Sequence, residues 1–219
     1  MDDMPFSQSD VQESLCFRSC LRPPFPEVAL ATNLLIRAED AHVKGLFSEA
    51  EKLILRANIP AIAVWAESLI GKNSEFNTPL FREKYTVTQR TEKRMPTAEM
   101  VRAIHRRDGF CCGFCGTPVI RRTTRKRLVA LYPNVVPWGP RNIDKHAAIF
   151  VMEAQYDHVI PFSIGGQNDL DNLLLTCLPC NYGRGGFTLE EMGLYNPLKD
   201  GRAACVVLDW DGLERLLKP

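Results

Sequence analysis

The chain has 219 residues, 45% of them hydrophobic and 24% charged, with a formal net charge of +1, which suits one or two apolar cores and excludes disorder over most of the length, collagen and coiled coil. The charge is uneven: residues 1–80 sum to −4, residues 81–127 to +9 and residues 128–219 to −4. A nucleic-acid binder shows this pattern when one face meets phosphate, although a solvated charged surface gives the same count. No apolar run approaches the roughly 20 residues of a membrane helix, and MDDMPFSQSD is acidic where a secretory signal is basic and then apolar, so no membrane contact and a cytoplasmic location are expected. In that reducing compartment paired cysteines read as metal ligands or reactive thiols before disulfides.

Residues 27–71 read as three short packed helices. Leu30 to Ala41 carries helical periodicity, and Gly45 breaks it from the next helix. Ser48 and Glu51 have capping-box spacing ahead of Leu53, Ile54 and Ala57. Ile62, Trp65, Ala66, Leu69 and Ile70 then form one apolar stripe after Pro60, ended by Gly71. No second copy recurs at a fixed period, so a solenoid is not expected. Residues 72–96 lose the periodicity. Thr97 is placed to cap a helix over about Ala98–Arg107, with Val101 and Ile104 inward and Gly109 ending it. The expected division is a helical domain over 1–78, with an interaction or recognition role, a linker over 79–96 and a second domain over 97–219.

Cys112 and Cys115 form one C-x-x-C pair and Cys177 and Cys180 a second. Two such knuckles supply the four thiolates that Zn2+ takes in a closed structural site. A redox site of the thioredoxin kind needs one pair, not two. Cys111 is a rival to Cys112 if the first knuckle is wider. Cys16, Cys20 and Cys205 have no partner at zinc spacing and read as small buried hydrophobes.

Between the knuckles, Tyr156–Ile160 and Asn172–Cys177 have strand composition and Gly165-Gly166 forces a turn, so the segment is a hairpin. The second knuckle opens a short helix bearing Asn181. This arrangement brings Asp157, His158, Asn172 and Asn181 toward one place, and the set suits phosphodiester hydrolysis. His158 can take a proton from water near neutral pH. Asp157 is a hard oxygen ligand for Mg2+ or a similar ion such as Mn2+. Asn181 can complete that ion's protein ligands, and Asn172 can orient the imidazole by hydrogen bonding. Taken singly, each residue has an ordinary structural reading.

In order, CGFC, DHVIP, GG, NL and CLPCN resemble the HNH or ββα-metal nucleases that carry a four-cysteine zinc site, over about residues 97–186. The resemblance implies an α+β fold, a helical domain followed by a zinc-stabilised ββα-metal domain. It implies His158 as general base, Asp157 and Asn181 as metal ligands and Asn172 as the middle residue of an H-N-N variant, with Asn168 as a rival for that middle role. Arg184 stands where many members have lysine, and either cation suits the scissile phosphate. Residues 118–150 read as a basic insertion, longer than the family's usual connection. Its Arg121, Arg122, Arg125, Lys126 and Arg127 are candidate DNA contacts, Ala147–Met152 is an apolar helix or strand, and His146 is either at the site edge or structural.

The leading expectation is a metal-dependent endonuclease acting on DNA. A zinc-stabilised binding module without catalysis is a second reading, against which the Asp157-His158 pair argues. A nuclease effector of a restriction or antiphage defence system, met by a protein partner through the N-terminal helices, is a third.

Overall fold

The computed structural model describes residues 17–72, 74–76 and 93–218. Cys16 and most of the expected linker lie outside the described residues. Helix α1 (Pro26–Val43) starts on a proline, whose fixed φ and missing donor suit a first turn. Its buried Val28, Ala31, Leu34, Leu35 and Ala38 form a helical stripe. Gly45, at φ +75°, reverses the chain.

Helix α2 (Phe47–Ala57) begins one residue before Ser48, and the expected capping box does not form: Leu46 is the N-cap and makes no side-chain cap bond. The turn itself explains this. Gly45 N donates to His42 O and Leu46 N to Ala41 O, so the reversal re-enters helix at once and leaves Ser48 inside the first turn. Helix α3 (Pro60–Ile70) starts and stops on the expected Pro60 and Gly71, with Ile62, Ala66 and Leu69 buried. No single helix among the described residues is long and apolar enough to cross a membrane.

Helix α4 (Ala98–Asp108) is capped by Thr97, whose hydroxyl accepts from Met100 N, and ends at Gly109 with φ +70°. Ile104 is fully buried, whereas Val101 is half-buried. Helix α5 (Arg122–Leu131) and the short helix α6 (Ala147–Val151) follow. Strands β1 (Gln155–His158) and β2 (Leu173–Thr176) pair antiparallel, with Asp157 opposite Leu174 and His158 opposite Leu173. Helix α7 (Leu178–Arg184) closes the motif. The chain is therefore α+β: helix-rich, with a two-stranded antiparallel sheet.

Two apolar clusters organise these elements. One holds α4, both knuckles and the hairpin: Ile104, Phe114, Val119, Leu173, Leu174 and Leu175 are its centre. The other joins α1, α2 and α3 to Ile120, Leu128, the whole of α6 and Trp210, Leu213 and Leu216 near the C-terminus. The N-terminal helices thus share their apolar faces with later segments of the chain.

Polar bonds fix that junction. His146 is fully buried and structural, not at the edge of a site. Its Nδ1 accepts from Ile149 N at 3.4 Å as the cap of α6, and its Nε2 lies 3.0 Å from Ile54 O on α2. Those partners select the neutral imidazole with the proton on Nε2. Asn58 Oδ1 accepts from Ala147 N at 2.7 Å beside it. Buried Glu39 on α1 pairs with Arg215, which also bonds Asp40.

The cysteine expectations need two corrections. Cys205 is not a free buried hydrophobe: it is disulfide-bonded to Cys111, with a Cα–Cα distance of 5.5 Å. Cys111 is thereby removed as a rival to Cys112. The pairing joins positions 94 apart in sequence, which spacing alone could not select. Cys20 is half-buried, and burial raises its thiol pKa above the ordinary value.

The His146 linkage predicts a pH dependence of stability. Burial pushes its pKa from 6.5 to about 4, so the unfolded chain binds the extra proton between those values and the folded chain does not. The stabilisation is complete above pH 6.5 and is lost as pH falls through about 4, with a ceiling of about 3 kcal/mol. In urea unfolding, His146→Asn should lower stability at pH 7 and flatten its decline from pH 6.5 to 4; an unaltered decline would count against the assignment.

Candidate active site

The two knuckles meet just behind the hairpin. The first is a closed turn: Cys112 N donates to Thr117 O at 2.8 Å and Gly116 N to Cys112 O at 2.9 Å. Gly116 has φ +73°, and a Cβ there would sit 2.0 Å from Ala204 O, so only glycine fits. Cys177 is the N-cap of α7 and Cys180 lies in its first turn. Gly113 N donates to Leu175 O at 2.8 Å and ties the first knuckle to β2.

All four thiols are buried, and their sulfurs lie within 4.8 Å of one another. The Cys115–Cys177 sulfur separation is 3.7 Å, close to the edge of about 3.8 Å that a tetrahedron with Zn–S near 2.3 Å requires. Burial alone would raise the Cys112 thiol, but hydrogen bonds from Cys115, Cys177 and Cys180 outweigh it and hold that group well below its ordinary value. Cys177 is pushed well up, chiefly by burial, and Cys180 chiefly by its bonding to Cys112. A cation at the centre would remove this conflict by favouring thiolate at all four. The cluster is compatible with a zinc site.

In front of the hairpin opens a cleft of about 1080 Å³, lined among others by Asp157, His158, Asn181 and Arg184. The antiparallel register brings the end of β1 beside the start of β2, and α7 crosses β1. Asp157, His158 and Asn181 are therefore brought together. Asn172 is not among the lining residues. Its Oδ1 accepts from Ile160 N at 2.7 Å, and its Nδ2 donates to Ile160 O at 3.1 Å and to Gln167 O at 2.8 Å. The expectation that Asn172 orients the imidazole is corrected: its amide is spent holding the hairpin loop closed. A Cβ at Gly166 would lie 1.8 Å from Ile160 O, so the same closure demands glycine there.

His158 Nε2 is buried without a hydrogen-bond partner among the described residues, and so is Asn168 Oδ1. The Asn168 side chain influences His158 weakly, toward the protonated imidazole, and its own Nδ2 donates to Met95 O at 3.1 Å. Burial is the larger influence on His158 and lowers its pKa; Asp157 opposes this, while Arg94 and Arg184 add to it.

Arg184 is 1% exposed. Its Nε donates to Asp157 Oδ2 at 2.8 Å and its Nη2 to Asp157 Oδ1 at 2.5 Å and to His158 O at 2.6 Å. The expected phosphate contact is thus replaced by a two-pronged clamp on the neighbouring carboxylate. Burial raises the Asp157 pKa and the Arg184 charge opposes that rise. Each carboxylate oxygen keeps one lone pair beyond the one Arg184 takes. The Asn181 side chain is half-exposed and makes no hydrogen bond among the described residues. These are oxygen donors lining one cleft, the donor type that a hard divalent cation takes.

The basic run divides by helical phase. Arg121 and Arg125, four apart, turn inward together. Arg121 binds Glu214 through two nitrogens, and Arg125, 7% exposed, pairs with Glu153 and stacks 4.3 Å above the Trp138 ring. Arg127 is exposed, but its Nε donates to Leu216 O at 3.3 Å. Arg122 and Lys126 are exposed on the other face, and of the five only Arg122 lines the cleft. Two cleft cations escaped sequence reading: Arg94, inside the expected linker, and Lys145. The +9 charge block contained Arg94, but nothing local distinguished it from its neighbours.

Residues 142–185 match the family model described as HNH endonuclease. The match holds Asp157, His158, Asn172, Asn181, Arg184 and the second knuckle, whereas Cys112 and Cys115 lie upstream of it. No curated protein and no solved structure matches the chain. With the hairpin, the crossing helix and the cysteine cluster already in place, that match makes residues 142–185 an HNH endonuclease domain, and the activity it implies for this chain is that of a nuclease on nucleic acid.

Proposed function

We propose that the cleft hydrolyses DNA phosphodiester bonds, with His158 as general base and a divalent ion held by Asp157 and Asn181. The observation that carries this reading is that a buried, unpartnered imidazole nitrogen and two oxygen-donor side chains line the same cleft. His158 Nε2 has a free valence to take the proton of an attacking water, and burial favours its neutral, accepting form. Arg184 fixes the Asp157 carboxylate by two hydrogen bonds and, through His158 O, the backbone that carries the base. Asn172 holds the loop from which that strand continues. When bound, Mg2+ or Mn2+ would polarise the phosphate and stabilise the departing oxygen. Zinc, in this reading, is structural and held by Cys112, Cys115, Cys177 and Cys180.

Elemental analysis of protein purified without added metal should give one zinc per chain. Less than a half-equivalent, or a Cys177→Ala variant that stays folded and metal-loaded, would overturn the zinc assignment.

Catalysis is tested on supercoiled plasmid with Mg2+, Mn2+ or EDTA. His158→Ala should lower the cleavage rate by about a hundredfold to ten-thousandfold while zinc content and DNA binding stay unchanged. Full activity of that variant would refute the base assignment. Asn181→Ala should demand more divalent ion, whereas Asn181→His should stay active with its preference moved toward transition metals. A folded but inactive histidine variant would mean that Asn181 does not bind the ion.

A further inference from the structure

The inward half of the basic run at 121–127 is committed to Glu214 and Glu153. The cations that remain at the cleft come from three unconnected places. Arg94 lies in the segment before α4, Arg122 is the first residue of α5, and Lys145 follows the short turn at Asn142–Asp144. All three line the cleft that holds Asp157, His158 and Asn181. Arg94 and Arg122 are exposed and make no ion pair among the described residues. Lys145 is half-buried, its ammonium set 3.2 Å from Asn142 Oδ1 and 4.8 Å from the Phe150 ring centroid. Those contacts fix its position while leaving donors for a further acceptor, since an ammonium has three.

The acids that line the same cleft are Glu153 and Asp157, and each is already paired, with Arg125 and Arg184. The uncompensated charge on the rim is therefore positive. Low-dielectric walls strengthen such a field toward an anion entering from water, and a nucleic-acid backbone presents phosphates as a row rather than as a single charge.

We propose that Arg94, Arg122 and Lys145 form the phosphate track that lays duplex DNA across the cleft, and that the inward members of the basic run, Arg121 and Arg125, take no part in it. This rests on the nuclease reading above and adds to it the residues that hold the substrate. The track reads backbone and not bases, so its contribution is the same for every sequence.

The test is binding of the full-length protein to a fluorescent duplex in EDTA, where no cleavage interferes, across a range of salt concentrations. The triple variant Arg94→Gln, Arg122→Gln, Lys145→Gln should flatten the slope of log K against log salt by about 2.7, at about 0.9 per lost contact, and Arg122→Gln alone by about 0.9. Lys52→Gln, exposed on α2, should leave the slope unchanged. A triple variant that melts like the parent but flattens the slope by less than about one unit overturns the track, as does an equal flattening by Lys52→Gln. A single-stranded oligonucleotide bound more tightly than the duplex overturns the duplex assignment. The nuclease reading fails separately: if His158→Ala cuts plasmid normally while the slopes behave as stated, the track stands and the catalytic assignment falls.

Discussion

The buried pair between Arg184 and Asp157 is the constraint on which the rest of the site depends. Taking both charges out of water is costly, and the pair persists only because its geometry is good and its remaining donors are used. Here they are used: Arg184 also donates to His158 O and to Phe187 O. One side chain thus links the end of α7 to the strand that carries base and carboxylate and to the chain leaving the helix. Removing either partner leaves an uncompensated buried charge, a loss of about 3–5 kcal/mol in comparable cases. A residue that sequence reading assigned to the substrate is, in the fold, the fastener of the site.

The cysteine cluster supports the same arrangement from behind. α7 is only seven residues long, too short to be stable by its own hydrogen bonds. It is held at its start by Cys177 and Cys180 and at its end by Arg184. Asn181 lies between these two anchors, so its position is set from both ends. The hairpin loop has its own closure in Asn172 and Gly166. The elements that would hold the proposed catalytic ion are in this way fixed by contacts that do not involve that ion.

What was legible in the sequence was whatever chemistry and spacing determine locally. The two C-x-x-C pairs, the strand–glycine–strand run and the Thr97 and Gly109 boundaries of α4 all read correctly, because each is set within a few residues. The order of motifs also carried the HNH resemblance. Long-range partners were not legible. Arg121 and Arg122 are adjacent and chemically identical, yet Glu214, 93 positions away, claims the first. Cys205 looks like any small hydrophobe until Cys111 is brought beside it. Asn172 bonds Ile160 and Gln167 instead of the imidazole because the loop closes on itself, which composition does not report. The Ser48–Glu51 spacing misled for a local reason: the turn at Gly45 had already started the helix.

The segment that carries Cys205 reaches elements from both halves of the fold. Ala203 and Val206 bond to the first knuckle, Trp210 Nε1 bonds to Val119 O, and Arg215 reaches Glu39 at a separation of 176 residues. Contacts of that span are expensive to close early, since the loop entropy is lost before the contacts repay it. Glu39 is buried in α1 and has its cation only once this segment docks. The charge buried in the first helix is therefore compensated from 176 residues away, and the N-terminal helices keep their packing only while that segment stays docked.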